Sequence, residues 1–180
     1  MKEFLLNLLK AIFRGLFTTY KTVENYNDMI NVSCTLQNRK WSYEDIAKQV
    51  LSQQLGVDDV LLTIVDNTKM LDKLSPEDIE YKAILVKVGQ KAYSLYVRKN
   101  YFSPTILCHE LKHLQQYYQN KIELMPNKGY KWLGKEYPAN YPYNSRPWEK
   151  EAFTAQDRLW RNYKQFKKNK QNETTDNSKK

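Results

Sequence analysis

Hydrophobic and polar positions alternate along the chain with two periods, one typical of helices and one typical of strands. Residues 1–17 have polar side chains at every third or fourth position and mainly Phe, Leu and Ile elsewhere, which predicts an apolar amphipathic helix. A second helix is predicted over residues 42–55, because Ser42 is a capping residue and Gly56 follows the last apolar position. Both helices precede the first segment with a strand pattern.

Three apolar segments predict strands. Val60–Val65 is a short, almost wholly apolar run, which is typical of a buried strand. Lys82–Val88 and Lys91–Val97 flank Gly89-Gln90, and this arrangement predicts two strands joined by a tight hairpin. Ser75–Glu80 is acidic with a Pro near its start and predicts a short turn or helix. Helices and strands together place the chain in the α+β class.

Two further helices are predicted in the C-terminal half. One begins at Ser103-Pro104, a capping Ser followed by Pro, and runs to about Gln119. The other begins near Pro147 and runs to about Lys168. The segment between them, residues 120–147, is rich in Lys, Asn, Gly, Pro and Tyr and predicts a long irregular loop.

Composition and charge distinguish a folded middle from the two ends. A hydrophobic fraction of 41% with 13% aromatic residues excludes wholesale disorder and collagen-like repeats. We expect an N-terminal apolar helix and its connection over 1–40, one folded domain over 41–168, and a disordered polar tail over 169–180. Residues 161–180 hold +5 of the net charge of +9, so this basic end is a candidate for contact with nucleic acid.

Cysteine content and hydropathy predict the compartment. Cys34 and Cys108 are the only cysteines and lie far apart, which predicts no disulfide framework and favours a reducing compartment. The chain has no stretch of 18 uncharged apolar residues, so we expect no transmembrane segment. We therefore expect a cytoplasmic protein.

The motif with the clearest chemistry is His109-Glu110-Leu111-Lys112-His113, in the third predicted helix. Two imidazoles four residues apart lie on one face of a helix, one turn apart, which is the geometry that two ligands of one Zn²⁺ need. Glu110 lies beside them, where its carboxylate can act on water at the metal. These are the only two histidines of the chain, and they fall away from the apolar stripe of the helix. The sequence therefore predicts a zinc site.

A third protein ligand must be Asp, Glu or Cys, since catalytic zinc usually has three protein ligands and no third His exists. Glu149 follows His113 by 36 residues and falls in the first turn of the fourth predicted helix. Helical phase places Glu149 on the inward stripe with Ala152 and Phe153, whereas Glu151 falls on a mostly polar face. Glu149 is therefore the preferred ligand, with Glu151 as the alternative.

This arrangement resembles the gluzincin branch of zinc metallopeptidases, in which an HExxH helix is followed by a Glu on a later helix. Residues 149–152 are similar to the ExxA ligand segment of small zincins, and residues 147–152 resemble small zincin-like proteins of bacteria and their phages. The resemblance covers roughly residues 60–165. It implies that the domain expected over 41–168 is a bacterial or phage-encoded zincin-like catalytic domain, with a sheet of three or more strands packed on the HExxH helix and a C-terminal helix. It also implies Zn²⁺ held by His109, His113 and Glu149, with Glu110 as the general base.

The resemblance leaves parts of the site open. Phe153 stands where an Asp often follows the ExxA segment, so the residue that orients a metal ligand is unassigned. We expect Lys91–Val97 to be the edge strand against which an extended peptide pairs, and Cys108 to be a packing residue. The donor to the developing oxyanion stays open among four residues of the loop that leads to Glu149: Tyr137, Tyr141, Tyr143 and Arg146.

The sequence thus predicts a zinc-dependent peptidase that hydrolyses a peptide or protein substrate through a metal-activated water. The alternative is a zincin-fold protein of a phage or mobile element that has a binding or structural role and no peptidase activity. Residues 1–17 favour a helix that is buried against the domain or a partner chain, and contact with a membrane surface is the other possibility. Contact with a partner would suit the alternative function.

Overall fold

The computed structural model describes residues 30–38, 40–74, 80–126 and 129–177. The helix predicted over 1–17 and residues 75–79 of the predicted acidic segment lie outside this part of the chain. The described residues form α-helices and two β-sheets, which confirms the α+β class. None of their helices combines the length and the apolar run that crossing a membrane requires.

The larger sheet has four strands: β1 (Asn31–Cys34), β2 (Leu61–Asp66), β3 (Ala83–Lys87) and β4 (Ala92–Val97). Their order across the sheet is β1-β2-β4-β3. β1, β2 and β4 run parallel, and β3 is antiparallel to β4. The sequence predicts β2 and the β3–β4 hairpin but not β1, which is only four residues long.

β4 is an interior strand, so the prediction that Lys91–Val97 forms the edge of the sheet is wrong. The sheet continues with β2 on one side of β4 and with β3 on the other, and residues 93–97 are all buried. A strand with several consecutive buried residues is typical of a position enclosed on both faces. The edge next to β4 is β3, most of whose side chains are half-buried.

The first helix, α1 (Tyr43–Gln49), begins where the sequence predicts. Its capping residue Ser42 accepts a hydrogen bond from the backbone N–H of Asp45 at 3.2 Å. The helix continues as a π-helical turn (Val50–Gln54) and stops before Gly56, which has a φ of +61°. Glycine adopts this left-handed conformation at little cost, which explains why the helix ends there.

One helix and one sheet are not predicted by the sequence. α2 (Thr68–Leu74) follows β2, and Asn67 caps it by accepting a hydrogen bond from Met70 N at 3.0 Å. A second, antiparallel sheet replaces much of the predicted irregular loop, and its strands are β5 (Ile122–Leu124), β6 (Tyr130–Trp132) and β7 (Lys135–Tyr137). Strands of three residues are too short to show a period of two.

The two helices that carry the predicted site begin at the predicted residues. α3 (Pro104–Tyr118) is capped by Ser103, which accepts a hydrogen bond from Ile106 N at 3.3 Å. α4 (Pro147–Asn177) continues nine residues beyond the predicted end at Lys168, into the segment where the sequence predicts a disordered tail. No Gly or Pro interrupts the helix after Pro147, and extending an existing helix costs little. The division into domains at residues 40 and 168 stays a prediction.

α3 lies in the centre of the core and contacts β3, α1 and α4. One apolar cluster joins this helix to the sheet and to α4, and it includes Leu62, Ile64, Leu95, Leu107, Leu111, Leu114, Leu159 and Tyr163. Several polar residues of α3 are buried as well, among them His109, Glu110 and Gln116. Buried polar groups require partners inside the protein, and these partners define the site described below.

The hairpin between β6 and β7 contains a strained residue. Leu133 and Gly134 form its two-residue loop with φ values of +48° and +85°, and a leucine in this conformation costs about 1 kcal/mol or more. Asn tolerates positive φ, so we expect Leu133→Asn to raise the free energy of unfolding by about 1 kcal/mol and Tm by about 2–4 °C. Thermal unfolding followed by circular dichroism measures this shift.

The matched control is Leu124→Asn. Leu124 is as exposed as Leu133 (65% against 66%), but it lies in strand β5. Its replacement removes a similar exposed apolar side chain without relieving a positive φ, so we expect no stabilisation. An equal rise of Tm in both variants, or no rise for Leu133→Asn, would show that the hairpin is not strained.

Candidate metal centre

Three side chains from two helices converge on one point. His109 and His113 lie one turn apart on α3, and Glu149 lies in the first turn of α4. Glu149 Oε2 is 3.3 Å from Nε2 of each histidine, and the two Nε2 atoms are 3.1 Å apart. These three residues form a cluster that is close enough to hold a metal ion.

The spacing of the donor atoms matches what a tetrahedral metal requires. Ligand atoms at about 2.0–2.1 Å from Zn²⁺ stand about 3.3 Å from one another in tetrahedral geometry. The triangle formed by the two Nε2 atoms and Oε2 has sides of 3.1, 3.3 and 3.3 Å. Two imidazoles and one carboxylate are also a donor set that zinc uses in catalytic sites. The residues present therefore fit such an ion.

Glu149 is buried on the inner side of α4, as helical phase predicts, with 7% of its surface exposed. Phe153 is 48% exposed, so its predicted place on the inward stripe is wrong. The buried stripe of α4 instead consists of Trp148, Ala152, Ala155, Leu159 and Tyr163. The ring of Phe153 lies beside His109, 4.5 Å between centroids, at the rim of the cluster.

The cluster is held together electrostatically. Burial alone would raise the pKa of Glu149, but hydrogen bonds from His109 and His113 outweigh it and hold the pKa of this carboxyl well below its usual range. Burial lowers the pKa of His113, and the hydrogen bond and charge of Glu149 reverse this effect and raise the pKa to about 9. Glu149 is therefore ionised and ready to act as an anionic ligand.

Gln116 sets the orientation of the His113 ring. Its amide nitrogen donates to Trp148 O at 3.0 Å and to Glu151 Oε2 at 2.9 Å, and both of these atoms only accept hydrogen bonds. The amide oxygen of Gln116 must therefore face His113 Nδ1, 2.8 Å away, and accept its proton. Nδ1–H is thus the donor to the protein, and Nε2 of His113 is left for the metal.

A second glutamine has the corresponding place beside His109. Oε1 of Gln156 lies 3.2 Å from His109 Nδ1, so that ring also directs Nε2 toward Glu149. Sequence reasoning missed both glutamines and left the orienting partner unassigned. The signal was helical spacing, since Gln116 lies one turn after His113 and Gln156 lies two turns after Glu149.

Glu151 belongs to the surroundings of the centre and is not part of the cluster. Its carboxylate accepts from Gln116 and forms ion pairs with Lys112 at 3.2 Å and Lys121 at 3.5 Å. Burial raises its pKa, but Gln116 and Lys112 outweigh burial and lower it. Glu151 therefore stays charged and fixes the amide of Gln116.

Glu110 faces a cleft of about 250 Å³ that His113 and Glu149 also line. Only 8% of Glu110 is exposed, and burial raises the pKa of its carboxyl against the opposing effect of the two histidines. A carboxylate with a raised pKa binds a proton more readily than a solvated one, which suits a group that takes up and releases protons.

The structure separates the four loop residues considered as oxyanion donors. Tyr143 and Arg146 line the cleft, and the hydroxyl of Tyr143 donates to Glu149. The ring of Tyr137 packs against those of Tyr141 and Trp148, with centroids 5.0 and 5.4 Å apart.

In the same helix as the histidines, Cys108 is fully buried in the core, which confirms the prediction that it is a packing residue.

Comparison with protein-family models, with curated proteins and with solved structures finds no match for this chain. The resemblance to gluzincins therefore rests on the sequence motifs alone. The distances described above establish a cluster of His109, His113 and Glu149 with the capacity to hold a metal ion.

The two glutamates of α4 should contribute differently to metal affinity. Glu149→Gln removes a charged donor from the triangle, and we expect zinc affinity to fall by orders of magnitude. Glu151→Gln is the matched control, because it removes the same charge two residues away and keeps an oxygen that can accept from Gln116. We expect only a small change of zinc affinity in Glu151→Gln. Competition with a chromogenic chelator measures both affinities, and a larger loss for Glu151→Gln would assign the ligand to Glu151.

Loss of the Gln116 amide should weaken the centre without removing a ligand. In Gln116→Met, Nδ1 of His113 has no acceptor and the ring can turn, so we expect zinc affinity to fall about 10- to 100-fold. Gln115→Met is the control, since Gln115 donates instead to Leu55 O at 2.6 Å and accepts from Lys112. The same chelator competition applies. Equal affinities in the two variants would mean that Gln116 does not orient His113.

Proposed function

We propose that this chain is a zinc-dependent peptidase in which His109, His113 and Glu149 hold the metal and Glu110 is the general base. The observation that carries the proposal is the position of Glu110, buried but facing the same cleft as His113 and Glu149. A structural metal site needs no ionisable group beyond its ligands, whereas hydrolysis needs a base within reach of a water molecule.

The residues of the cleft would have different roles in hydrolysis. When bound, Zn²⁺ would supply Lewis acidity toward a peptide carbonyl and lower the pKa of water. Glu110 would accept the proton of the attacking water and pass it to the nitrogen of the leaving amine. Its raised pKa supports this double role, because the same group must first bind the proton and then release it.

Tyr143 is the residue that best suits the developing oxyanion. Burial and the neighbouring Glu149 raise the pKa of its hydroxyl, so the phenol keeps its proton. The hydrogen bond that this hydroxyl gives to Glu149 would turn to the oxyanion during hydrolysis. Its side chain lines the cleft beside Glu110 and His113. A donor fixed in a poorly solvated cleft stabilises negative charge more strongly than a donor in water.

The edge strand β3 supports a peptide as the substrate. Ala83, Ile84 and Leu85 of β3 line the cleft together with Glu110. β3 pairs with β4 on one side only, so its other side has no strand partner within the described sheet. An extended peptide added there would lie next to the candidate metal centre, held by backbone hydrogen bonds that do not depend on its sequence.

Replacement of Glu110 tests the proposal directly. Glu110→Gln keeps the size of the side chain and all three metal donors, so we expect zinc content to be unchanged and hydrolysis to fall by about 10²–10⁴-fold. Casein and a peptide library serve as substrates, with zinc measured on the same samples. Glu123→Gln, at an exposed position of β5, is the control and should keep both zinc and activity.

The same experiment separates a peptidase from the alternative, a zincin-fold protein with a binding or structural role. A binding protein would hold zinc and cleave no substrate, even as the wild-type chain. Preparations without any metal would argue against both, and wild-type activity that survives in Glu110→Gln would remove Glu110 from the mechanism.

A further inference from the structure

Arg146 occupies the junction between the second sheet and the candidate metal centre. It is the capping residue of α4, since its carbonyl accepts a hydrogen bond from Lys150 N at 3.1 Å. Its half-buried side chain lines the same cleft as Glu110, His113 and Glu149. The function proposed above gives Arg146 no role.

The guanidinium of Arg146 is held in place without being neutralised. Nε donates to Tyr141 O at 3.1 Å. The planar group also lies over three aromatic rings, with its central carbon 5.4 Å from the centroid of Tyr143, 5.6 Å from Tyr130 and 5.9 Å from Trp148. These contacts restrict the side chain to one orientation, so little entropy is lost when it binds a partner.

Within the described part of the chain, Arg146 forms no ion pair, in contrast to the other half-buried arginine. Arg98 pairs with Asp72 and with Glu80. The Nη1 and Nη2 groups of Arg146 donate to no described residue, although Glu149, already engaged by both histidines, lines the same cleft. A half-buried guanidinium with free donors in a cleft is a site for an anion that comes from outside.

We propose that Arg146 binds a carboxylate of the substrate, so that the cleft selects peptides with an acidic side chain or a free C-terminus next to the cleaved bond. This proposal rests on the peptidase function and names its substrate class. The planar guanidinium presents two parallel N–H donors that match the two oxygens of a carboxylate. The N-terminal end of the long helix α4 lies at the same place and adds a partial positive charge.

The dimensions of the cleft agree with a small acidic group. A volume of about 250 Å³ lies below the range of pockets for larger ligands and suits one side chain or a chain terminus. Aromatic side chains surround the guanidinium and limit its contact with water. A charge-assisted hydrogen bond is stronger in such a place than on the open surface.

Binding of small probes tests the proposal independently of hydrolysis. NMR titration of the zinc-loaded full chain compares acetyl-glutamate amide with acetyl-glutamine amide, for the side chain, and acetyl-alanine with its amide, for the C-terminus. We expect the carboxylate member of at least one pair to bind roughly tenfold more tightly or better. The pair that shows the difference identifies the source of the carboxylate.

Variants of Arg146 provide the decisive comparison. Arg146→Gln should abolish the preference for the carboxylate probe over its amide. Arg146→Lys, which keeps the charge but loses the planar pair of N–H donors, should retain part of this preference. Arg158→Gln, at an exposed position three turns along α4, removes the same charge and should change nothing. Zinc content and Tm of each variant show that the centre and the fold are intact.

Three results would overturn the proposal. The wild-type chain could bind acid and amide probes equally, Arg146→Gln could still bind the acid probe more tightly, or Arg158→Gln could lose the preference for the acid probe as fully as Arg146→Gln. A carboxylate that binds only the metal would give the second result. Cleavage of peptides without a preference would leave the peptidase function standing and reject the carboxylate site. A preference for the carboxylate probes without cleavage of any peptide would leave the carboxylate site standing and reject the peptidase function.

Discussion

The close contact between α3 and α4 is the constraint on which the site depends. The two histidines project from one helix and the glutamate from the other, and their donor atoms meet only if the helix axes stand near each other. Ala152 and Ala155, the buried small residues that follow Glu149 on α4, permit this approach, because interaxial distance is set by the side chains at the contact. Larger residues there would move the carboxylate away from the imidazoles.

Burying this many polar groups is tolerated because they form one connected network. The path runs from His109 and His113 through Glu149 to Tyr143, and from His113 through Gln116 to Glu151 and its lysines. Each residue of this path hydrogen-bonds or forms an ion pair with the next, which lowers the cost of burying its polar groups. The network also joins the two helices by polar contacts in addition to their apolar packing.

Local patterns in the sequence were sufficient to predict the helices that begin at a capping residue or a Pro, and to predict the three residues of the cluster. The caps Ser42 and Ser103 and the first-turn Pro147 mark helix starts, and the period of α4 places Glu149 inward even though Phe153 was assigned to the wrong side. These features depend on neighbours within one or two turns, which is the range that periodicity reports.

Features that depend on tertiary contact were not predictable in this way. The position of β4 inside the sheet follows from pairing with β2, which is far away in the sequence. The amide orientation of Gln116 follows from Trp148 and Glu151 on the other helix, and its helical spacing from His113 gives no sign of these two partners. The three-residue strands β5–β7 are stabilised by Trp148 through a cluster with Ile122 and Trp132 rather than by their own pattern.

The charge of His113 determines how the centre exists in the absence of a cation. With a pKa of about 9, this imidazole is protonated at neutral pH, and its charge balances that of Glu149. The stabilisation from this pair is complete below the ordinary histidine pKa of 6.5 and is lost as pH rises through about 9. A proton thus takes the electrostatic place that a metal ion would have, and uptake of a divalent ion would be an exchange that releases acid to the solvent. Acidification would reverse that exchange and return the centre to its own internal ion pair.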